Sequence, residues 1–316
     1  MGIKYLIAIT FLKYLPDKLY LKLIYKKRTG KKLNLKNPKT FNEKIQWLKL
    51  YNRKPEYTTM VDKYLVKKYI ANIIGEEHII PLYGVWNKFD DINFDELPDK
   101  FVLKCTHDSG GLVVCRDKTK LDIAKARKKI NKSLKLNYYY LGREWAYKNV
   151  KPRIIAEQFI ETINNNVDIN DKEVLEAEEL QSNIGLLDYK FLCCNGEIKA
   201  LLLDIGIIGN NEGHADEYYR NVYDKDFNLM PVLETRENYP KTIKKPENYD
   251  EMIKIVEKIA KDIPFIRVDL YNLNGKIYFG ELTLYHGSGL SNKFKPEIWD
   301  EIFGSWIDLE SIWKKK

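Results

Sequence analysis

Residues 264–289 read PFIRVDLYNLNGKIYFGELTLYHGSG, two runs rich in β-branched and aromatic residues around Asn272, Leu273, Asn274 and Gly275. This is hairpin chemistry. A two-residue Asn274-Gly275 loop would pair Leu273 with Lys276, set Asp269 opposite Gly280, and send Asp269 and Glu281 to opposite faces. A three-residue loop, Leu273 to Gly275 with Gly275 in the left-handed position, pairs Asn272 with Lys276, Asp269 with Phe279 and Arg267 with Glu281. The second register is the one expected here, and it projects Arg267, Asp269, Glu281 and Thr283 from one face. Two readings of that face stay open. Arg267 and Glu281 could form no more than a cross-strand ion pair on a solvated surface. Alternatively, acids set among Ile266, Val268, Leu270, Tyr278 and Phe279 need a cation or a partner.

The chain has 316 residues, 44% of them apolar, enough for one large core or two to three modest domains. Lys plus Arg outnumber Asp plus Glu by 53 to 45, and the net charge of +8 favours anionic partners. Cys105, Cys115, Cys193 and Cys194 have no metal-ligand spacing, and two are adjacent, which argues against a disulfide framework and for a reducing cytoplasm. The amino-terminal apolar run, Tyr5 to Leu12, is too short to span a bilayer and lacks a cleavage site. With the lysines that follow, residues 1–37 could lie in a membrane interface as an amphipathic helix; packing on the domain with lysines in water is the preferred alternative.

Pro38-Lys39-Thr40 with Glu43 reads as a capping box opening a helix to about Arg53. A second helix is expected over Asp62 to Ile74, closed by Gly75, with an extended segment from Ile79. Residues 101–106 and 112–115 read as strands flanking the loop His107-Asp108-Ser109-Gly110-Gly111. Neither a P-loop nor a dinucleotide fingerprint is present. Even so, Ser109, Gly110 and Gly111 can bring backbone amides close to phosphates, and Lys104 can add a point charge. An ordinary turn beside an exposed lysine is the simpler reading of that loop alone. Asp122 to Leu136 reads as a basic helix and Arg153 to Glu161 as a strand. Asn164 to Ser182 reads as a polar, mobile insertion without chemistry. Leu186 to Cys194, Asn195-Gly196 and Ile198 to Leu203 form a second hairpin, with Asp188 and Lys190 on one face. The stretch Gly206 to Gly213, with His214, is loop-like, and Asn248 with Glu251 is expected to cap a helix through Lys261.

The segments PKTFNEKIQWLKLY, VDKYLVKKYI, LPDKFVLKCTHDSGG, REWAYKNVKPRIIAEQFIE and RVDLYNLNGKIYFGELTLYHGSG together resemble the TupA-like branch of the ATP-grasp superfamily, named for teichuronopeptide synthesis. The resemblance runs from about Leu15 to Leu309. It implies an α+β ATP-grasp fold, two subdomains clamping ATP, with a helical and α/β N-terminal lobe. The expected divisions are a basic segment 1–37, the lobe 38–98, a glycine-loop subdomain 99–162, the insertion 163–185 and a metal and phosphate subdomain 186–316.

Carried onto this sequence, the resemblance implies that Lys104 and Lys190 hold ATP phosphates under the loop Thr106, His107, Ser109, Gly110 and Gly111. Glu157, Gln158 and Phe159 would line the adenine pocket and Glu161 would reach the ribose. Asp269 and Glu281 would bind Mg²⁺, with Thr283 standing where many ATP-grasp enzymes have asparagine. Arg267, with Lys190, would stabilise the transferred phosphoryl group, and Tyr285 to Gly289 would contact the acceptor. The implied reaction is ATP-dependent carboxylate–amine ligation through an acyl phosphate. The expected partners are a uronic acid or glutamate unit of a capsular or cell-wall polysaccharide precursor and a small amine, with no nucleic acid. A cytoplasmic enzyme, in peripheral contact with the membrane at most, is the expected setting. The competing readings are a glycosyltransferase, for which Asp224-Lys225-Asp226 is the nearest DxD-type tripeptide, and a basic glycan- or nucleic-acid-binding module.

Overall fold

A computed structural model describes residues 12–162, 168–207, 218–290 and 294–313. The loop with His214, the segment Met1 to Phe11 and residues 163–167 lie outside that set. Two antiparallel sheets dominate. Strands β1 (Leu82–Trp86), β2 (Phe101–Cys105), β3 (Leu112–Cys115) and β4 (Ile154–Gln158) form the first, ordered β1-β4-β2-β3. After the short β5 (Val174–Leu175) come β6 (Asp188–Cys194), β7 (Glu197–Ile205) and β8 (Tyr219–Tyr223). The short β9 (Leu233–Glu234) and β10 (Thr242–Ile243) precede β11 (Phe265–Leu273) and β12 (Lys276–Thr283), and β13 (Phe294–Lys295) follows. The second sheet runs β12-β11-β6-β7-β8.

Side-chain alternation gives the second sheet an apolar face and a charged face. Tyr189, Phe191, Leu201, Leu203, Val268 and Leu270 are buried in a cluster shared with Met252, Val256 and Ile259 of the helix Tyr249–Ala260. That cluster also takes in Ile45, Leu48, Met60 and Ile70 from the N-terminal helices. The first sheet keeps a smaller core of its own, in which Phe101, Leu103 and Ile154 meet Ala126 and Ile130 of the helix Ile123–Leu134.

The hairpin of residues 264–289 closes through the Asn274-Gly275 turn, with Leu273 opposite Lys276. Positive φ at both turn residues, 50° and 77°, marks the tight two-residue type whose twist matches the strands. The expected three-residue loop is therefore corrected, and so is the pairing of Arg267 with Glu281. The acids nevertheless share a face. A bulge at Gly280 puts Phe279 opposite Leu270 and Glu281 directly opposite Asp269, with Thr283 opposite Arg267. The extra residue reverses the alternation that the tight turn would otherwise impose. A Cβ on Gly280 would stand 3.1 Å from the Asp269 carbonyl oxygen and from the Tyr271 ring. Gly280→Val is expected to cost about 1–3 kcal/mol and to move Glu281 away from Asp269; urea denaturation checks the cost, and the Asp269–Glu281 separation in a crystal structure of the variant checks the displacement.

Other elements follow local chemistry. Thr40 and Glu43 form the expected capping box on the helix Phe41–Tyr51. The expected helix from Asp62 begins later, at Leu65, after a separate turn of helix at Glu56–Val61. Asp62 instead accepts the amides of Tyr64 and Leu65 and pairs with Arg153 at 3.0 Å. Asn248 makes no side-chain cap. Its amide bonds Asn272 and the Gly275 carbonyl, pinning the hairpin turn. Within the stretch expected to be a mobile insertion, the helix Ala177–Ile184 packs Leu180 into the main core, and Gln181 donates to the Asn272 carbonyl. The four cysteines are buried and free. Among the described residues, no helix is long and apolar enough to cross a membrane.

Candidate functional site

A cavity of about 340 Å³ lies between the two sheets. The charged face of the second sheet forms one wall. Arg267 grips Asp269 through two bonds, Nε to Oδ1 at 2.6 Å and Nη2 to Oδ2 at 2.7 Å, and its Nη2 is 3.9 Å from Glu281 Oε2. Lys190, opposite Asp269 on β6, pairs with Asp188, with Asp269 at 3.3 Å and with Asp204 at 3.8 Å. Arg220 on β8 pairs with Asp204 and with Glu234 on β9. Arg267 Nη1 donates to His286 Nδ1 at 3.0 Å, which fixes the imidazole proton on Nε2, 3.5 Å from Glu234. The pairs close a ring: Arg267, Asp269, Lys190, Asp204, Arg220, Glu234, His286.

Burial sets the electrostatics of this wall. It works against ionising Asp269, but the Arg267 guanidinium and the Lys190 ammonium outweigh it and hold the carboxyl below its usual range. Burial also pushes Asp188 up to about 6, against the pull of Lys190. His286 is lowered by burial despite Glu234, in keeping with a neutral ring that accepts from Arg267.

The opposite wall comes from the first sheet and the N-terminal lobe. Glu157 on β4, almost wholly enclosed, binds Lys67 at 2.8 Å and Lys104 of β2 at 2.5 Å. Burial opposes its charge, yet the two ammonium groups bring it down to about 2. The turn between β2 and β3 supplies Ser109, Gly110 and Gly111 to the lining. Asp108 organises that turn by accepting the Gly111 amide and the Ser133 hydroxyl. A Cβ on Gly111 would fall 2.4 Å from Ser133 Oγ and 2.6 Å from Cys105 Cβ, so the chain can pass there only without a side chain. Lys63 bridges the walls, donating to the Asp108 carbonyl and standing 3.5 Å from Glu281 Oε1.

The profile of the TupA-like ATP-grasp family matches residues 43–308. The chain belongs to the TupA-like ATP-grasp family. No curated protein sequence matches it. Solved structures similar to it include a D-alanine–D-alanine ligase from Helicobacter pylori, at 14% identity and TM-score 0.43 over 84% of this chain and 69% of that one. An L-amino acid ligase from Bacillus licheniformis is 15% identical, with TM-score 0.45, over 88% of this chain and 58% of that one. A D-alanine–D-alanine ligase from Bacillus anthracis, complexed with ATP, is 16% identical with TM-score 0.43, over 81% and 65%. The fold is the ATP-grasp fold that the sequence segments imply.

Of the residues that the TupA-like resemblance marks, Lys104, Ser109, Gly110, Gly111, Glu157, Gln158, Phe159, Lys190, Arg267, Asp269 and Glu281 line the cavity. Glu157 enters it as a buried carboxylate holding two lysines, so its side chain has a task beyond the expected backbone contact. Thr106 and His107 are enclosed by protein instead: the Thr106 hydroxyl donates to the Lys151 carbonyl, and His107 Nε2 lies 3.1 Å from that of Ser133. Glu161 is exposed, paired with Lys100 at 2.6 Å, outside the cavity. Thr283 stands next along β12, opposite Arg267, and is not part of the lining. Asp224, from the DxD-type tripeptide, spends its carboxylate on the amides of Asp226 and Asn228 in a turn away from the cavity.

Asp204, Arg220, Glu234 and Lys63 escaped the sequence reading, and His286, within the loop Tyr285 to Gly289 expected at the acceptor, takes a place in the charged ring that the sequence does not mark. Asp204 had a signal: it is a lone charge at the end of the apolar run ALLLDI, in register with Asp188. The others become neighbours only through tertiary structure.

For magnesium, the donor chemistry fits. Asp269 and Glu281 are two hard-oxygen ligands facing each other across a strand pair. Among the described residues no group of three or more His, Cys, Asp or Glu could hold a metal unaided. An ion here would draw its remaining oxygens from phosphate or water, as magnesium commonly does.

Proposed function

We propose that this protein is an ATP-dependent carboxylate–amine ligase, ADP-forming, acting on a uronic acid or glutamate unit of a surface polysaccharide precursor. The observation that carries the reading is the cavity itself. Asp269, Glu281, Arg267 and Lys190 on one wall face Lys104 and the glycine turn on the other, in a chain of the TupA-like ATP-grasp family. Six Lys and Arg and six Asp and Glu side chains line it, so a polyanionic nucleotide would unbalance it and favour a divalent cation alongside.

Asp269 and Glu281 would hold that magnesium, which supplies charge neutralisation at the phosphoryl oxygens. Lys104 and Lys190 hold the phosphates, and the glycine turn approaches them closely because it carries no side chain in the way. Arg267, with Nε and Nη2 on Asp269 and Nη1 on His286, has one further N–H on each Nη to offer phosphoryl oxygens. A substrate carboxylate oxygen attacks the γ-phosphorus, breaking its bond to ADP and giving an acyl phosphate. A neutral amine then attacks the acyl carbon, phosphate departs with the C–O pair, and the amine's extra proton leaves to solvent. The chemistry requires no nucleophilic side chain from the protein.

Incubation with ATP, magnesium, uronates and an amine pool tests the reading. ADP and phosphate should be released only when both acid and amine are present, with an amide product by mass spectrometry. Sugar transfer from a nucleotide sugar without ATP would overturn it in favour of a glycosyltransferase. Glycan binding without any ATP turnover would identify a binding module.

A further inference from the structure

Positive charge is distributed very unevenly. Residues 1–39 carry eleven Lys and Arg against the single acid Asp17, whereas the remaining 277 residues carry 42 against 44. The basic excess of the whole molecule therefore sits on the amino-terminal segment, and the body is close to neutral. The described part of that segment is built around the 13-residue helix Asp17–Thr29, closed by Gly30 in the left-handed conformation.

One face of the helix is fastened to the body. Tyr20, Leu21 and Tyr25 are buried, and the Tyr20 hydroxyl donates to the Leu141 carbonyl at 3.0 Å. Asp17 pairs with Arg53 at 2.6 Å and accepts the Tyr139 hydroxyl at 2.5 Å. The outward face is centred on Leu19 and Leu23, one turn apart, which remain 45% and 54% exposed. Lys22 and Lys26 flank them on one side and Lys27 on the other, all exposed. Tyr14, just before the helix, is 79% exposed. Among the described residues, Lys18, Lys22, Lys26, Lys27, Arg28, Lys32 and Lys36 make no ion pair, and only Lys31 finds an acid, Glu297. The helix dipole accounts for basic residues in the last turn, Lys26 to Arg28. It does not account for Lys18 and Lys22 near the start, nor for leucines left in water between lysines.

We propose that the outward face of the helix Asp17–Thr29 docks on an anionic lipid bilayer, with Leu19, Leu23 and Tyr14 entering the headgroup region and the lysines meeting lipid phosphates. Charge complementarity selects the anionic partner. The exposed leucines select a bilayer over a soluble polyanion, because a polyanion offers apolar side chains nothing, whereas the interface buries them. This proposal is independent of the catalytic reading.

Co-sedimentation of the full chain with vesicles tests it, using phosphatidylcholine alone and phosphatidylcholine mixed with phosphatidylglycerol in roughly equal amounts. The protein should pellet with the mixed vesicles and stay in solution with the neutral ones. The triple variant K22E/K26E/K27E should bind at least about 100-fold more weakly. The double variant Leu19→Ser with Leu23→Ser, which keeps every charge and changes only exposed side chains, should bind at least about tenfold more weakly with an unchanged far-UV spectrum. Failure to pellet with anionic vesicles overturns the proposal. So does full binding by the serine variant, or binding to inorganic polyphosphate as tight as to the vesicles, since either outcome means a polyanion site without a lipid requirement.

Discussion

Replacing Asp269 with asparagine is expected to lower ADP formation by at least about 10³-fold. The side chain is 3% exposed, accepts both bonds of the Arg267 fork, and lies 3.3 Å from Lys190. Asparagine keeps the shape but removes the charge that a magnesium ion and the two cations require. The change also leaves Arg267, whose charged form Asp269 favours against burial, facing a neutral amide. Breaking a buried pair on one side typically costs about 3–5 kcal/mol, so thermal melting should shift downward as well. Steady-state turnover and melting, measured on the same preparations below the variant's midpoint, separate lost chemistry from lost fold. Turnover within tenfold of the unaltered protein would remove Asp269 from the catalytic machinery.

The second large effect is expected at Glu157. Its carboxylate is the sole acid within ion-pair distance of Lys67 and Lys104 among the described residues. Glu157→Gln should destabilise the protein by about 3 kcal/mol or more near neutral pH and raise the KM for ATP, because Lys104 loses the partner that holds it at the cavity. A carboxyl near 4.3 in the unfolded chain and about 2 in the folded one adds stability that is full above about 4.3. That stability is lost as pH falls toward 2. Asp188 acts oppositely: raised to about 6, it takes up a proton in the folded state first, and stability gains as pH falls from about 6 toward its unfolded value near 3.9. Denaturant titrations across pH should show the unaltered protein losing stability steeply below about 4.3 and the Gln variant losing less. Parallel curves would contradict the Glu157 assignment.

The hairpin shows where sequence reasoning reached and where it stopped. Alternating β-branched and aromatic residues marked both strands, and Asn274-Gly275 was a direct signal for the two-residue turn. That turn alone would have separated Asp269 from Glu281. The bulge that reunites them depends on Gly280 fitting beneath the Tyr271 ring and against the Asp269 carbonyl, a tertiary packing fact with no turn signature. The capping box at Thr40 and the Asn195-Gly196 hairpin were legible because their partners are a few residues apart. The ring through Asp204, Arg220, Glu234 and His286 was not, because its members come from three strands and a loop and no local pattern pairs them. Asn248 failed as a predicted cap for a similar reason: the hairpin turn, distant in sequence, competes for its amide.

The proposed function stands on ATP-driven activation of a substrate carboxylate in this cavity. It is tested most directly with a uronate whose carboxylate carries heavy-isotope oxygen, incubated with the protein, ATP, magnesium and the amine that gives product. The acyl-phosphate route leaves one labelled oxygen in the inorganic phosphate released, because the C–O bond broken by the amine belongs to the original carboxylate. Unlabelled phosphate accompanying amide formation would contradict it.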